Sequence, residues 1–105
     1  MGRKKVRSDL RWHKEDELQK QLEALIIELE FAHIDPKRIF MYRTYGSTAR
    51  AYARIWAFPK IFQEVLSVDP AYVIEVLSEK FDKLNDEQKT KVLIHELLHI
   101  RERRV

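Results

Sequence analysis

Residues 85–100 leave a folding chain fewer choices than any other stretch. Asn85-Asp86-Glu87-Gln88 reads as a helix start: Asn85 as N-cap, acids in the first turn, and Gln88 at the capping-box position. From Gln88 to Ile100 there is neither Gly nor Pro. At about 100° per residue, Leu93, Ile94, Leu97, Leu98 and Ile100 share one broad apolar arc. His95 and His99 sit at one edge of that arc, and Glu96 lies on the more polar side. A helix built this way packs its apolar face on a sheet and turns its histidines toward a cleft.

Within this helix His95-Glu96-Leu97-Leu98-His99 spells H-E-x-x-H. Residues four apart lie on one helical face, one turn from each other. Two imidazoles so placed bind one zinc ion, and the glutamate between them holds and deprotonates a water molecule. The expected metal ligands are therefore His95 and His99, and the expected catalytic base is Glu96. A hydrolytic zinc centre takes three protein ligands and keeps a position for water. The spacing leaves the third ligand open among Glu75, Asp82, His33 and a carboxylate or histidine of a second chain. Glu102 shares a face with His95 but stands far along the axis. Tyr42, Arg43 and Tyr45 are candidates for stabilising an oxyanion, against an ordinary role in a strand and turn. The competing reading of the motif is two solvent-edge histidines on an ordinary core helix.

The run Val92-Leu93-Ile94-His95-Glu96-Leu97-Leu98-His99-Ile100 resembles the active-site segment of zincin-type metallopeptidases. More narrowly, residues 34–100, about two thirds of the chain, look like a metallopeptidase family found in archaea and phages. The resemblance is carried by Arg38-Ile39-Phe40, Tyr42-Arg43-Thr44-Tyr45-Gly46-Ser47, Ala53-Arg54-Ile55-Trp56, Tyr72-Val73-Ile74-Glu75-Val76 and Glu79-Lys80-Phe81-Asp82-Lys83-Leu84. It implies a zincin-like domain, a zinc cofactor and a peptide or protein substrate. In that family a Pro, a Phe-Ser-Gly-Gly-like loop and a further histidine, the third ligand, follow the motif. Here Arg101-Glu102-Arg103-Arg104-Val105 stands in that place. The expectation is thus a metallopeptidase site without its C-terminal third-ligand segment, with weak zinc binding and little or no activity.

The chain of 105 residues is 45% hydrophobic and 35% charged, which suits one small domain with a modest core. Without cysteine there is no disulfide framework and no thiolate zinc site, which fits a reducing cytoplasm. No apolar run is long enough to span a membrane, and no signal segment is visible. A net charge of +3 is mildly basic and does not mark a dedicated nucleic-acid binder. Much of the imbalance falls in residues 1–12, where Arg3, Lys4, Lys5, Arg7 and Arg11 precede Trp12. Such an arm can contact phosphates and stack on bases, or simply be a solvated, frayed terminus. The expected division is a basic arm over 1–12 and one domain over 13–105.

Residues 13–33 read as a long amphipathic helix through Leu18, Leu22, Leu25, Ile26 and Leu29, with acids at its start and Asp35-Pro36 beyond its end. His13 and His33, at its two ends, cannot chelate one ion together. Residues 39–45 are rich in aromatic and β-branched side chains and read as a strand, and Tyr45-Gly46-Ser47-Thr48 as a turn. Residues 49–58 alternate Ala51, Ala53, Ile55 and Ala57 against Tyr52, Arg54, Trp56 and Phe58. This predicts a hairpin, with a helix packed close on the small-residue face. Pro59 opens a short helix through Ile61, Phe62, Val65 and Leu66, and Val68-Asp69-Pro70 ends it. Residues 71–84 fit either a strand or a helix, and the resemblance tips them to a strand as far as Ser78.

The fold expected is α+β, a small zincin-like domain in which a long N-terminal helix and the motif helix pack on a three-stranded sheet. The function expected is a zinc-dependent metallopeptidase. The alternative is a non-catalytic binding module that contacts nucleic acid or a protein partner through its basic ends.

Overall fold

A computed structural model describes residues 10–100. Four strands, β1 (Arg11–Lys14), β2 (Ile39–Tyr45), β3 (Ala53–Ala57) and β4 (Tyr72–Leu77), form one mixed sheet in the order β1-β2-β4-β3. β2 and β4 run parallel, and the two outer pairings are antiparallel. The helices are α1 (Asp16–Glu28), α2 (Lys60–Leu66), the single turn α3 (Ser78–Phe81) and α4 (Asp86–Leu97). A 3₁₀ turn at Pro36–Arg38, capped by the Asp35 side chain, leads into β2. The architecture is α+β.

Strand alternation sorts the sheet into two faces. Ile39 and Met41 of β2, Ala53 of β3, and Ile74 and Val76 of β4 point to one side and are buried. Leu22 and Ile26 of α1, Leu93 and Leu97 of α4, Phe81, Ile34 and Ile100 close over them to make the core. Arg43, on the same side of β2, pairs with Glu15 and Asp82 at 2.6 Å each and ties the start of α1 to α3. β1 reaches only as far as Tyr42 along β2. Gln19 of α1 serves the uncovered part of that edge. Its amide donates to Ile39 O at 2.7 Å and accepts from Met41 N at 2.8 Å, so backbone groups that lack a strand partner are still satisfied.

Several boundaries differ from the sequence reading. The sheet has four strands, because Arg11–Lys14 pairs with β2. Arg11 and Trp12 belong to this strand, and residues 1–9 of the expected arm lie outside the described residues. The N-terminal helix starts at Asp16 and stops at Glu28, short of the predicted span, where Glu30 takes a positive φ of 57° and breaks the register. The turn at Gly46, with φ 85°, is where expected. β2 and β3 do not form a hairpin: β4 lies between them, paired to each. The buried small residue Ala53 does face a helix, as expected, and that helix is α4.

Candidate metal centre

The motif helix is capped as its sequence requires. The Asn85 side chain accepts from Gln88 N at 2.8 Å, and Gln88 Oε1 accepts from Asn85 N at 3.0 Å. The helix ends at Leu97, two residues before the second histidine. The backbone then tightens: His99 N donates to Glu96 O at 3.1 Å and Ile100 N to Leu97 O at 3.0 Å. These are bonds over three residues, not four, typical of a final 3₁₀ turn. Leu93, Leu97 and Ile100 are buried, as the apolar arc predicts, but Leu98 is 63% exposed, because at about 100° per residue it stands roughly 140° from Leu93, at the far end of that arc.

His95 and His99 are both exposed, with ring centroids 4.9 Å apart and planes at 89°. Glu96 is only 8% exposed, whereas the sequence reading put it on the more polar side; at about 100° per residue it stands roughly 60° from Leu93, at the flank of the apolar arc. What buries it is β3, against which α4 lies close at Ala53. Burial pushes the Glu96 carboxyl above its ordinary pKa, and the charges of His99 and His95 only partly oppose this. No hydrogen bond among the described residues contributes.

Two shallow clefts, of about 450 and 460 Å³, meet at Glu96. Ala51, Tyr52, Ala53, Lys91, Val92 and His95 line one with it. Ala53, Arg54, Ile55, Trp56 and His99 line the other. The three motif residues therefore stand together beside β3, an outer strand of the sheet.

The other sequence candidates do not join them. Glu75 lies on the opposite face of the sheet, where Thr44, Trp56 and Arg54 donate to it. Asp82 is held by Arg43 and Ser78. His33 Nε2 lies 3.1 Å from Ile100 O, which it serves as donor. Arg43 is engaged with Glu15 and Asp82, and Tyr42 faces the far side of the sheet. Glu102 lies outside the described residues. Among the described residues no group of three or more His, Cys, Asp or Glu could hold a metal ion. The donor set they offer is two imidazoles with a carboxylate beside them, which suits a zinc ion that takes a further ligand.

Sequence reasoning missed Tyr52, Arg54 and Lys91, which border the site. Tyr52 and Arg54 were legible as one face of an alternating strand. That the strand borders the motif helix was not.

A family model described as "Putative phage metallopeptidase" matches residues 10–105. No curated protein and no solved structure gives a match. No helix among the described residues is long and apolar enough to cross a membrane.

Proposed function

The chain belongs to the phage metallopeptidase family, and we propose that it is a zinc-dependent peptidase whose metal is held by His95 and His99 and whose general base is Glu96. The observation that carries this is the shared position of two exposed imidazoles and one buried carboxylate at the edge of a sheet. Bound there, zinc would supply Lewis acidity toward water and the scissile carbonyl. Glu96 accepts the proton of the attacking water and returns it to the leaving amine. Burial raises its pKa, the direction that suits a group which takes a proton and returns it. β3 contributes the substrate platform. As an outer strand it has a backbone edge that pairs with no other strand among the described residues, and an extended peptide paired there would be laid past Glu96. Tyr52 and Arg54 then stand where substrate side chains pass.

With only His95 and His99 as protein ligands among residues 10–100, affinity is expected well below that of a three-ligand centre. A carboxylate or histidine of a second chain is one source of the further ligand. Calorimetric titration of metal-free protein with zinc tests the assignment. Wild type and Glu96→Gln should bind, while His95→Ala/His99→Ala should not. Equal heats from the wild type and the double variant would sink it.

A further inference from the structure

The backbone of β3 alternates between its two sides. Leu77 N donates to Tyr52 O at 2.9 Å and Phe58 N to Ala71 O at 3.0 Å. These bonds bracket β3, and its register with β4 is unbroken between them. Arg54 and Trp56 therefore bond to β4, while Ala53, Ile55 and Ala57 turn their N–H and C=O groups to the outer edge. A peptide paired antiparallel there, the more stable ladder, bonds through the residues opposite these three. Its residues in between stand opposite Arg54 and Trp56, in the closer pairs that exchange no hydrogen bond.

Residues in one cross-strand row share a face of the sheet. The register puts Trp56, Val73 of β4 and Phe40 of β2 in one row, on the face away from the helices. This row is wholly apolar, and with Phe58 and Pro59 it lines a cavity of about 460 Å³. The next row, Arg54, Glu75 and Tyr42, is polar and satisfied within itself, since Arg54 pairs with Glu75 at 3.2 Å.

Trp56 ends the apolar row at the outer edge. It is 56% exposed, and it also lines the cleft that holds Glu96 and His99. Its ring is fixed: Nε1 donates to Glu75 Oε1 at 2.8 Å, and the Arg54 guanidinium lies 5.7 Å from the ring centroid. A ring held this way loses little freedom when a ligand side chain packs on it.

We propose that Trp56 sets the side-chain preference of the peptide site by taking a large apolar residue of the substrate on its indole. The proposal rests on the reading of β3 as the substrate edge. Such a residue extends the apolar row by one member, whereas a charged one would be desolvated against it. Ala53 borders the same cleft as Glu96. The residue received by Trp56 is thus three positions along the peptide from the one opposite Ala53.

Metal-free full-length protein is titrated into a short, blocked, labelled peptide of alanine and serine whose central residue is Phe, Leu, Ala or Lys. Anisotropy follows binding, so turnover plays no part. The Phe and Leu peptides should bind roughly 10-fold more tightly than the other two. Trp56→Ala should bring the four to parity, and Trp56→Phe, which keeps a ring, should retain most of the preference. Trp12→Phe leaves Trp56 as the sole indole of the chain, and its emission should change as the Phe peptide binds. N-methylation of the residues on either side of the central Phe should abolish binding, and N-methylation of the Phe itself should not, because only the neighbours donate to β3. Absence of binding, or equal binding of the four peptides, would overturn the proposal. So would a preference that survives Trp56→Ala, or equal effects of the two methylation patterns. A dimer in sedimentation that Trp56→Ala breaks would assign the indole to a second copy instead. A failed zinc titration removes the chemistry and leaves this preference in place, whereas peptides bound without preference remove the role of Trp56 and leave the zinc centre in place.

Discussion

Glu75 and Glu96 lie on opposite sides of one sheet, 4% and 8% exposed. Burial raises the pKa of both, yet Glu75 ends below its ordinary value and Glu96 above it. The difference is the supply of donors. Thr44, Trp56 and Arg54 all reach Glu75 and more than offset its desolvation. Among the described residues, Glu96 has no such donor, and the charges of His99 and His95 only partly oppose its desolvation. One carboxylate is thus fixed as an anion that orients a ring. The other is buried without a hydrogen-bond donor among the described residues. Equal burial of one residue type yields structure on one face and poised chemistry on the other, and the hydrogen bonds decide which.

The largest expected effect tests the poised side. Glu96→Gln should lower whatever hydrolysis the zinc-loaded protein shows by about 10²- to 10⁴-fold, the usual worth of a general base. Zinc binding should persist. Turnover of a peptide substrate compared with calorimetry separates the two, and a loss of metal along with activity would make Glu96 a ligand. If Glu75→Gln cost as much activity, the division between the faces would fail.

Next comes the helix that sets Glu96 in place. Leu97 is fully buried and its neighbour Leu98 is 63% exposed. Leu97→Ala should destabilise the fold by about 2–5 kcal/mol. Leu98→Ala should shift the thermal midpoint far less. Similar shifts for the two would contradict the register of α4.

The anchored side should respond through pH. Glu75→Gln should cost about 1–3 kcal/mol near neutrality, because it weakens bonds to a buried charged acceptor. Since the folded pKa of Glu75 lies below its ordinary 4.5, its stabilisation is present above that value and is lost as pH falls through the folded pKa. Denaturant midpoints of the variant and the wild type should therefore converge in acid. A gap that stays constant across that window would show that the carboxylate charge contributes nothing there.

The smallest effect concerns the cap. Asn85→Ala removes half of the capping box and should cost about 1 kcal/mol, read as a modest fall in the thermal midpoint. It should leave the Glu75 face unchanged.

Local pattern settled a good deal of this protein. Asn85 and Gln88 cap α4 because capping needs only residues three apart. Leu93 and Leu97 face the core because a 3.6-residue period needs no knowledge of the partner. The strands at 39–45 and 72–77, the latter chosen with help from the resemblance, and the helix after Pro59 also follow from short-range chemistry. Pairing between distant segments was not legible. The alternation of residues 49–58 identified a strand, but adjacency in sequence suggested β2 as its neighbour, and the parallel strand β4 lies between them instead. β1 looked like the end of an arm or the start of a helix, because its four exposed residues gain order only from the edge of β2. The sequence reading put Glu96 on the more polar side, yet at about 100° per residue it stands roughly 60° from Leu93, and β3 beside that flank, which no local pattern shows, buries it. The motif named the residues that carry chemistry. Only the order of the strands decided that Glu96 would be desolvated and Glu75 satisfied, because desolvation and hydrogen bonding depend on which distant segments come into contact.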